Sequence, residues 1–375
     1  MPGLKHCVAL VAALLTAATP ALAAGPDVVA RSYLVQNGSS GDVLLASYPD
    51  DRVAIASITK LMTVLVALEH AKPAEVVIVA PRAAAVGESS IHLRTGERLT
   101  VLELVKATLI QSANDAAFAL ADYVGRGDVA AFVSRMNAKA SELGLRDTHF
   151  ARPDGLDTAG HYSSARDVSR LARAAMSIPL VRTVVRERTA TISGGRTLHT
   201  WNDLLGSFPG LIGVKTGHTS LAGWSQVAAA RGDGVVVYAT LLGSTSRGQR
   251  NADLAELLTY GLTRYRTVAV VQRSRVYAWA QAPFGRKPLA LVVPRRLVRV
   301  VRIDTPLVER VSAAMVVSLP VVKGQKLGQV RVYDRGRLIA RSPLVASRSI
   351  GEPDFVARAE WYTGRTLDRI WGWLS

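Results

Sequence analysis

The chain has 375 residues, and 46 lysines and arginines against 29 aspartates and glutamates give a formal net charge of +17. This length allows a sizeable core and divides most naturally into two domains. The positive charge favours anionic partners. The sequence contains no zinc-finger, helix-turn-helix or aromatic-basic RNA-binding motif, so nucleic acid is not the expected partner.

The first 24 residues have the pattern of a cleaved secretory leader. Lys5 lies in a short basic start, an apolar run extends from Val8 to Ala18, and Ala21-Leu22-Ala23 follows with small residues on either side of the leucine, before Ala24 and Gly25. The run is short for a membrane span. The only cysteine, Cys7, lies in this leader, so the mature chain is expected to have no thiol or disulfide. We expect an exported protein at the outer face of the cytoplasmic membrane, in the periplasm or cell-wall space, where phospholipid headgroups and acidic wall polymers are the anionic partners.

The mature chain begins with a predicted β-hairpin and a buried helix. Strand-like runs at 33–35 and 43–45 flank a Gly-Ser-Ser-Gly-Asp turn. From Ile58 to Ala71, apolar residues recur at helical spacing on more than one face, which indicates a buried helix. Ser57 and Lys60 lie at its head, three residues apart. Side chains at this spacing project from one face of a helix, so the amine can take the hydroxyl proton.

Two physical effects favour a neutral Lys60. Burial disfavours an ammonium group, and the positive end of the helix dipole also opposes it while favouring negative charge at the Ser57 oxygen. The pair therefore has the chemistry of a nucleophile and a general base. On its own the spacing is weak support, because about one such pair arises by chance in a chain of this composition. A helix cap at Ser57 and a solvated first-turn Lys60 explain the isolated pair at least as well.

A second polar motif lies between two predicted helices. Thr100 and Glu103 form a capping box that opens an apolar helix extending to about residue 110. Another apolar helix covers 116–124. Ser112 and Asn114 are therefore expected in a tight turn, free to point into a cleft, with helix capping as the alternative explanation. Further helices at 132–143 and 165–176 make the middle of the chain mainly α.

A third motif lies on the first of three predicted antiparallel strands. Strand-like runs at 211–219, 224–231 and 235–242 are separated by glycine-containing turns. Within the first run, alternation places Lys215 and Gly217 on one face and Thr216 on the other. Gly217 is expected to leave room for the backbone of a ligand. The pattern predicts an antiparallel sheet edged by helices.

The C-terminal part has a different pattern. Short strand-like runs at 268–271, 276–280, 289–293 and 298–303 predict a small β-sandwich. The segment from Asp354 to Ser375 predicts an amphipathic helix, because its apolar residues fall at i, i+3, i+4 and i+7. Packing on the protein and docking at a membrane surface both explain this stripe, and its terminal position and tryptophan content favour the membrane. The stripe consists of Leu367, Ile370, Trp371 and Leu374.

The three motifs occur in a fixed order, and together they resemble those of the penicillin-binding proteins and serine β-lactamases. The stretches 56–63 (ASITKLMT), 161–168 (HYSSARDV) and 213–219 (GVKTGHT) resemble the low-molecular-mass D-alanyl-D-alanine carboxypeptidases, and 321–346 resembles their accessory β-domain. The resemblance implies an α+β fold: a transpeptidase-like domain with an antiparallel sheet flanked by helices and a helical subdomain, then a small all-β domain and an amphipathic helix. The expected boundaries are 1–24 for the leader, 25–264, 265–346, and 347–375 for the tail.

The resemblance also implies a mechanism. Ser57 would attack the carbonyl between the two terminal D-alanines of a peptidoglycan stem peptide, Lys60 would take its proton, and Ser112 would relay a proton to the leaving amine. The oxyanion hole would be the N–H groups of Ser57 and His218. β-Lactams would acylate Ser57, and no cofactor is implied. The expected substrate-binding residues are Asn114, Lys215, Thr216, Gly217, His218 and Arg250, of which Arg250 fits a surface arginine equally well.

The sequence argues against two other enzyme classes and leaves two related functions open. A class A β-lactamase would need a downstream Glu-x-x-Leu-Asn motif, which is absent. A zinc carboxypeptidase would need clustered ligands, whereas the histidines are dispersed, so no metal is expected. A peptidoglycan endopeptidase would use the same residues. A β-lactam-sensing or wall-binding protein that acylates without turnover also fits the motifs.

Overall fold

The computed structural model of the chain describes residues 8–15, 25–356, 358, 359, 361 and 363. The chain divides into two compact units. The first is Ala24–Thr263, and the second begins at Arg264 and includes the strand Val8–Leu15. Most of the predicted tail helix, including its apolar stripe at 367–374, lies outside the described residues.

A five-stranded antiparallel sheet forms the centre of the first unit. The predicted hairpin at its edge is confirmed, and its turn closes because the Asn37 side-chain oxygen accepts the N–H groups of Ser39 and Ser40 at 2.8 Å each. The three predicted strands after Gly210 are also confirmed, and helices that pack on both faces of the sheet bury them. In spatial order the strands are Val43–Ser47, Ser32–Asn37, Val235–Ser244, Gly223–Gly232 and Leu211–Thr219.

The helices of this unit enclose one apolar core with the sheet. The helix Lys60–His70 is buried on nearly all sides, as its sequence predicts. It begins two residues later than predicted, because Ala56–Thr59 forms a 3₁₀ turn. The other helices are Pro81–Ala84, Val101–Lys106, Asn114–Val124, Val129–Glu142, Ala165–Ala175, Pro179–Val184 and Arg247–Thr263.

The predicted capping box is confirmed at the helix Val101–Lys106. The Glu103 N–H donates to the Thr100 hydroxyl at 3.2 Å, and the Thr100 N–H donates to the Glu103 carboxylate at 2.7 Å. The helix continues as a π-helical turn and ends at Ser112, which has left-handed backbone angles (φ 64°, ψ 30°). The next helix starts at Asn114, two residues earlier than predicted. Ser112 therefore lies in the tight interhelical turn that the sequence predicts.

The second unit has its own apolar core, and its regular structure between Arg264 and Ile350 is all β. The N–H of Gln281 donates to the carbonyl of Met315 at 2.7 Å, and the N–H of Val317 donates to the carbonyl of Gln281 at 3.0 Å, so the large sheet curls back on itself. A two-stranded sheet is formed by Tyr265–Val271 and Leu297–Arg302. The six strands of the large sheet, in order, are Val8–Leu15, Leu307–Ala314, Lys326–Asp334, Arg337–Ala346, Leu289–Val292 and Ala278–Ala280.

The strand Val8–Leu15 belongs to the predicted leader. Its backbone pairs antiparallel with the edge strand Leu307–Ala314, from Val8 opposite Ala314 to Leu15 opposite Leu307. An apolar segment that is still attached finds hydrogen-bonding groups at such an open edge. Among the described residues, no helix is long and apolar enough to cross a bilayer.

Candidate active site

Ser57 and Lys60 are brought into direct contact at the start of the buried helix. Ser57 lies in the 3₁₀ turn and is half-buried, and its Oγ lies 2.7 Å from the Nζ of Lys60. The amine lies at the same distance, 2.7 Å, from the Oδ1 of Asn114 and from the carbonyl of Asp154. A neutral amine satisfies these contacts with two N–H donors and one lone pair that faces the serine hydroxyl.

Burial controls the charge of Lys60. The side chain has no exposed surface, and the loss of hydration lowers the pKa of Lys60 to about 7. The carboxylate of Asp154 partly opposes this shift, and the guanidinium of Arg152 adds to it. The amine is therefore partly deprotonated near neutral pH, which a general base requires. The explanation of Lys60 as a solvated first-turn residue is wrong.

Ser112 contacts a second buried lysine, Lys215. The Nζ of Lys215 donates to the Ser112 Oγ at 2.8 Å and to the carbonyl of Thr216 at 2.9 Å. Burial lowers the pKa of Lys215 well below its usual value, and the charges of Lys60 and Arg250 lower it further. On the other side, Asn114 Nδ2 donates to the carbonyl of Gly87 at 3.1 Å. This bond fixes the amide so that its oxygen faces Lys60.

The edge strand 211–219 lies directly against the turn that carries Ser57. A Cβ on Gly217 would lie 2.7 Å from the carbonyl oxygen of Ile55 and 3.2 Å from the Cβ of Ala56. The absence of a side chain therefore accommodates the protein's own backbone, and the approach of a ligand's backbone to Gly217 stays a prediction. The next residue, His218, is exposed and stacks on Trp224, with ring centroids 4.0 Å apart.

Arg250 is not the surface residue that one explanation of the sequence allowed. It is 1 % exposed, and burial lowers its pKa to about 10. Its guanidinium donates to Asp203 Oδ2 at 3.1 Å and to Asn251 Oδ1 at 2.6 Å, and it lies 5.7 Å from the ring centre of Trp224. The sequence did not single out Asp203, since nothing in its local pattern links it to a residue 47 positions downstream.

A cleft of about 280 Å³ lies over these groups. The structure brings to its walls six of the predicted site residues. Of the other three, Lys60 contacts Ser57, Lys215 contacts Ser112, and Asn114 contacts Lys60. No sequence pattern pointed to the rest of the lining. Within it, Trp201 is 46 % exposed, and the guanidinium of Arg247 lies 5.3 Å from its ring centre. The lining residues are Ser57, Glu88, Ser89, Ser112, Trp201, Thr216, Gly217, His218, Trp224, Arg247 and Arg250.

The segment 150–161 packs against the turn that carries Ser57 and against the helix that follows it. The carbonyl of Asp154 accepts a hydrogen bond from Lys60, and the carbonyl of Pro153 accepts one from the Thr63 hydroxyl at 2.5 Å. The carboxylate of Asp154 is fully buried and forms a two-point ion pair with Arg152 at 2.5 and 2.8 Å. His161, also buried, contacts the hydroxyl of Thr59. In the sequence this segment stood out only at its end, where the stretch 161–168 carried part of the resemblance.

A serine hydroxyl in contact with a buried, readily deprotonated lysine is typical of serine hydrolases in which lysine replaces the histidine base. The chain belongs to the D-alanyl-D-alanine carboxypeptidase family, peptidase family S11, whose profile matches residues 17–246. The fold is the transpeptidase-like α+β fold of penicillin-binding DD-peptidases.

Relatives cover both units. The chain is 31% identical to D-alanyl-D-alanine carboxypeptidase DacD of Escherichia coli over 90% of this chain and 91% of that protein. It is 37% identical to a D-alanyl-D-alanine carboxypeptidase of Streptomyces sp. K15 over 68% of this chain and 94% of that protein. Penicillin binding protein 5 from Haemophilus influenzae superposes with a TM-score of 0.64 at 26% identity, covering 88% of this chain and 100% of that chain.

Proposed function

We propose that this chain hydrolyses the terminal D-alanyl-D-alanine bond of peptidoglycan stem peptides through an ester on Ser57. The observation that carries the proposal is the 2.7 Å contact between the Ser57 hydroxyl and a fully buried Lys60. Membership of the carboxypeptidase family supplies the substrate class. The same serine is the expected site of acylation by β-lactams, which imitate the D-alanyl-D-alanine terminus.

The first half of the reaction forms the acyl-enzyme. Lys60 takes the proton of Ser57 Oγ, which attacks the carbonyl between the two D-alanines. The N–H groups of Ser57 and His218 stabilise the oxyanion, a contribution of roughly 10²–10³ in rate. Ser112 then passes a proton to the leaving amine and receives one from the lysine pair, so that D-alanine departs as the C–N bond breaks.

The second half repeats these roles with water. A water molecule gives its proton to neutral Lys60 and attacks the ester carbonyl, and Ser57 Oγ regains a proton as it leaves. Lys215 supports Ser112 through its 2.8 Å contact, and Asn114 holds the amine of Lys60 in place. The free acid of the shortened peptide is the second product.

The terminal carboxylate of the substrate would face a positively charged side of the cleft. Arg250 and Arg247 both line the cleft, as does Thr216, and we call the two arginines the cationic wall. Asp203 accepts hydrogen bonds from both guanidinium groups, which fixes their orientation but leaves the pair with a net positive charge. This arrangement supports selectivity for peptides with a free C-terminus.

The decisive experiment measures D-alanine release from a purified stem pentapeptide. Wild-type protein is expected to release many equivalents of D-alanine and to become labelled by fluorescent penicillin. Ser57→Ala is expected to release no D-alanine and to remain unlabelled. Turnover or labelling by Ser57→Ala would contradict the assignment. Release of at most one equivalent by the wild type would support the sensing function instead.

Endopeptidase activity remains the second candidate, because cleavage of a peptide crosslink needs the same polar groups. The cationic wall favours trimming, because the terminal D-alanine carries a free carboxylate next to the scissile bond, whereas in a crosslink the leaving group is the side-chain amine of a second, much larger peptide. A crosslinked muropeptide dimer and a pentapeptide monomer at equal concentration separate the two. Faster turnover of the dimer would overturn the preference for carboxypeptidase activity.

We also propose that residues 1–24 are removed on export. The catalytic domain then covers 25–264, the accessory β-domain 265–346 and the membrane-associating tail 347–375. The basic start, apolar run and small residues of the leader support this assignment. Edman sequencing of the exported protein is expected to begin at Gly25. An intact N-terminus would mean that Val8–Leu15 stays paired with Leu307–Ala314.

A further inference from the structure

Almost all of the net positive charge of the chain lies in the second unit. Between Arg264 and Ile350 there are 18 lysines and arginines but only three acidic residues, a net charge of +15, whereas the whole chain carries +17. Two of the acidic residues, Asp304 and Glu309, form ion pairs with arginines of the same unit. The last 25 residues hold three arginines and four acidic residues. Attraction to an anionic partner therefore arises from this unit and not from the tail.

Exposed apolar side chains lie on neighbouring segments of the same unit. The hydrogen bonds between Gln281 and the segment 315–317 bring one pair of segments together. The N–H of Val321 donates to the carbonyl of Ile350 at 2.9 Å, and Ile350 lines the same cleft as Gln281. We call these side chains the apolar patch. It consists of Trp279, Met315, Val316 and Val322, which are 62%, 48%, 64% and 64% exposed.

Exposed cations lie beside Trp279 of this patch. A cleft of about 900 Å³ is lined by Trp279 together with basic side chains, and no carboxylate is among its lining residues. The N–H of Lys323 donates to the hydroxyl of Ser349, another lining residue, at 2.9 Å. The nearest acidic residue along the chain, Glu352, pairs with Arg358. We call the cations the basic rim. It consists of Arg286, Lys287, Lys323 and Arg348.

The combination of groups selects one kind of partner. A hydrated anionic wall polymer would need the cations but gives no reason to expose four apolar side chains. A bilayer accounts for both, because apolar side chains and tryptophan enter the headgroup region while lysine and arginine meet lipid phosphates. We propose that the apolar patch and basic rim dock the second unit directly onto an anionic phospholipid surface. This contact is independent of the catalytic proposal and of any membrane contact by the tail.

A single-cysteine label tests the contact directly. In a Cys7→Ser background the chain has no other thiol, so Val316→Cys can carry an environment-sensitive fluorophore. Vesicles that contain phosphatidylglycerol are expected to shift its emission to the blue, and phosphatidylcholine vesicles are not. A label at Leu221→Cys, which is equally exposed in the first unit, is the matched control. Sedimentation with the vesicles without a shift at position 316 would mean that other residues bind, and a shift at both positions would also overturn the proposal.

Charge reversal tests the basic rim. Arg286→Glu with Lys287→Glu is expected to weaken partition onto anionic vesicles about tenfold or more. Arg295→Glu with Arg296→Glu makes the same change in net charge at exposed residues outside the rim, and a much smaller effect is expected. Equal losses would overturn the proposal, because general attraction would then explain binding. The same conclusion follows if soluble polyphosphate alone produces the shift at position 316. A thermal unfolding profile by circular dichroism that matches the wild type checks that both units of each variant remain folded, because penicillin labelling reports only on the first unit.

Discussion

The Nε2 atom of His161 lies 2.7 Å from the hydroxyl oxygen of Thr59, within the turn that carries Ser57. The N–H of Ala151 donates to Nδ1 of the same ring at 3.1 Å. The neutral ring therefore carries its proton on Nε2 and donates it to Thr59. Burial lowers the pKa of His161 to about 4. His161 is thus a positioning residue that holds the turn while remaining uncharged.

This burial predicts a pH dependence of stability. Below the usual histidine pKa of about 6.5 the unfolded chain binds a proton, while the folded protein does so only near pH 4. The contribution of neutral His161 to the free energy of unfolding is fully present above pH 6.5, and it falls by about 3 kcal/mol as the pH decreases to 4. His161→Gln removes the titration. Urea unfolding from pH 4 to 7 is expected to show that the stability difference between wild type and variant shrinks as the pH falls, and parallel curves would contradict it.

The pKa of Lys60 predicts the pH dependence of acylation. The neutral amine is the active form, so the rate of penicillin acylation is expected to rise with pH through a midpoint near 7. Lys60→Arg keeps the positive charge but supplies no base at this pH, and a loss of about 10²–10⁴ in rate is expected. Stopped-flow measurement with a chromogenic β-lactam reports both quantities. A flat profile for the wild type would rule out Lys60 as the titrating base.

The contact between Gly217 and Ile55 predicts a steric effect on the site. Gly217→Ala places a methyl group 2.7 Å from the Ile55 carbonyl, so the edge strand must move away from the Ser57 turn. We expect a loss of about 1–3 kcal/mol in unfolding free energy and slower acylation. Gly248→Ala is the control, because its Cβ would meet nothing within 4 Å. Unchanged acylation in Gly217→Ala would show that the contact between Gly217 and Ile55 does not control the position of Ser57.

Arg250 predicts how the enzyme distinguishes a free C-terminus. Arg250→Gln is expected to reduce kcat/KM for a free pentapeptide by about 10²-fold, because a charged contact to the carboxylate is lost. A substrate with a C-terminal amide should react slowly with both proteins. Arg247→Gln, which changes the more exposed partner of Asp203, gives a comparison. Equal losses on acid and amide substrates would indicate a structural function for Arg250.

The sequence predicted the parts of the fold that depend on repeating patterns. The strands 211–219 and 235–244 and the buried helix after Ser57 were found nearly at their true bounds, because their apolar residues repeat with a clear period. The sequence predicted that Ser112 lies in a turn. It did not predict the π-helical turn before Ser112 or the left-handed backbone of Ser112, since a π-helical turn has no distinct sequence pattern. Trp201 and Asp203 were missed because they lie on a loop, and only tertiary packing brings that loop to the cleft.

The ion pair between Arg152 and Asp154 predicts two opposite shifts of the pKa of Lys60. The negative charge of Asp154 raises this pKa, whereas the positive charge of Arg152 lowers it. Asp154→Asn is nearly isosteric and keeps the carbonyl that accepts from Lys60, so the midpoint of the acylation profile should move to lower pH. Arg152→Gln should move it to higher pH. The double variant removes both charges and should restore most of the wild-type midpoint, since the loss of hydration at Lys60 is unchanged. Shifts of both single variants in the same direction would show that the variants disturb the turn rather than the electrostatics of the base.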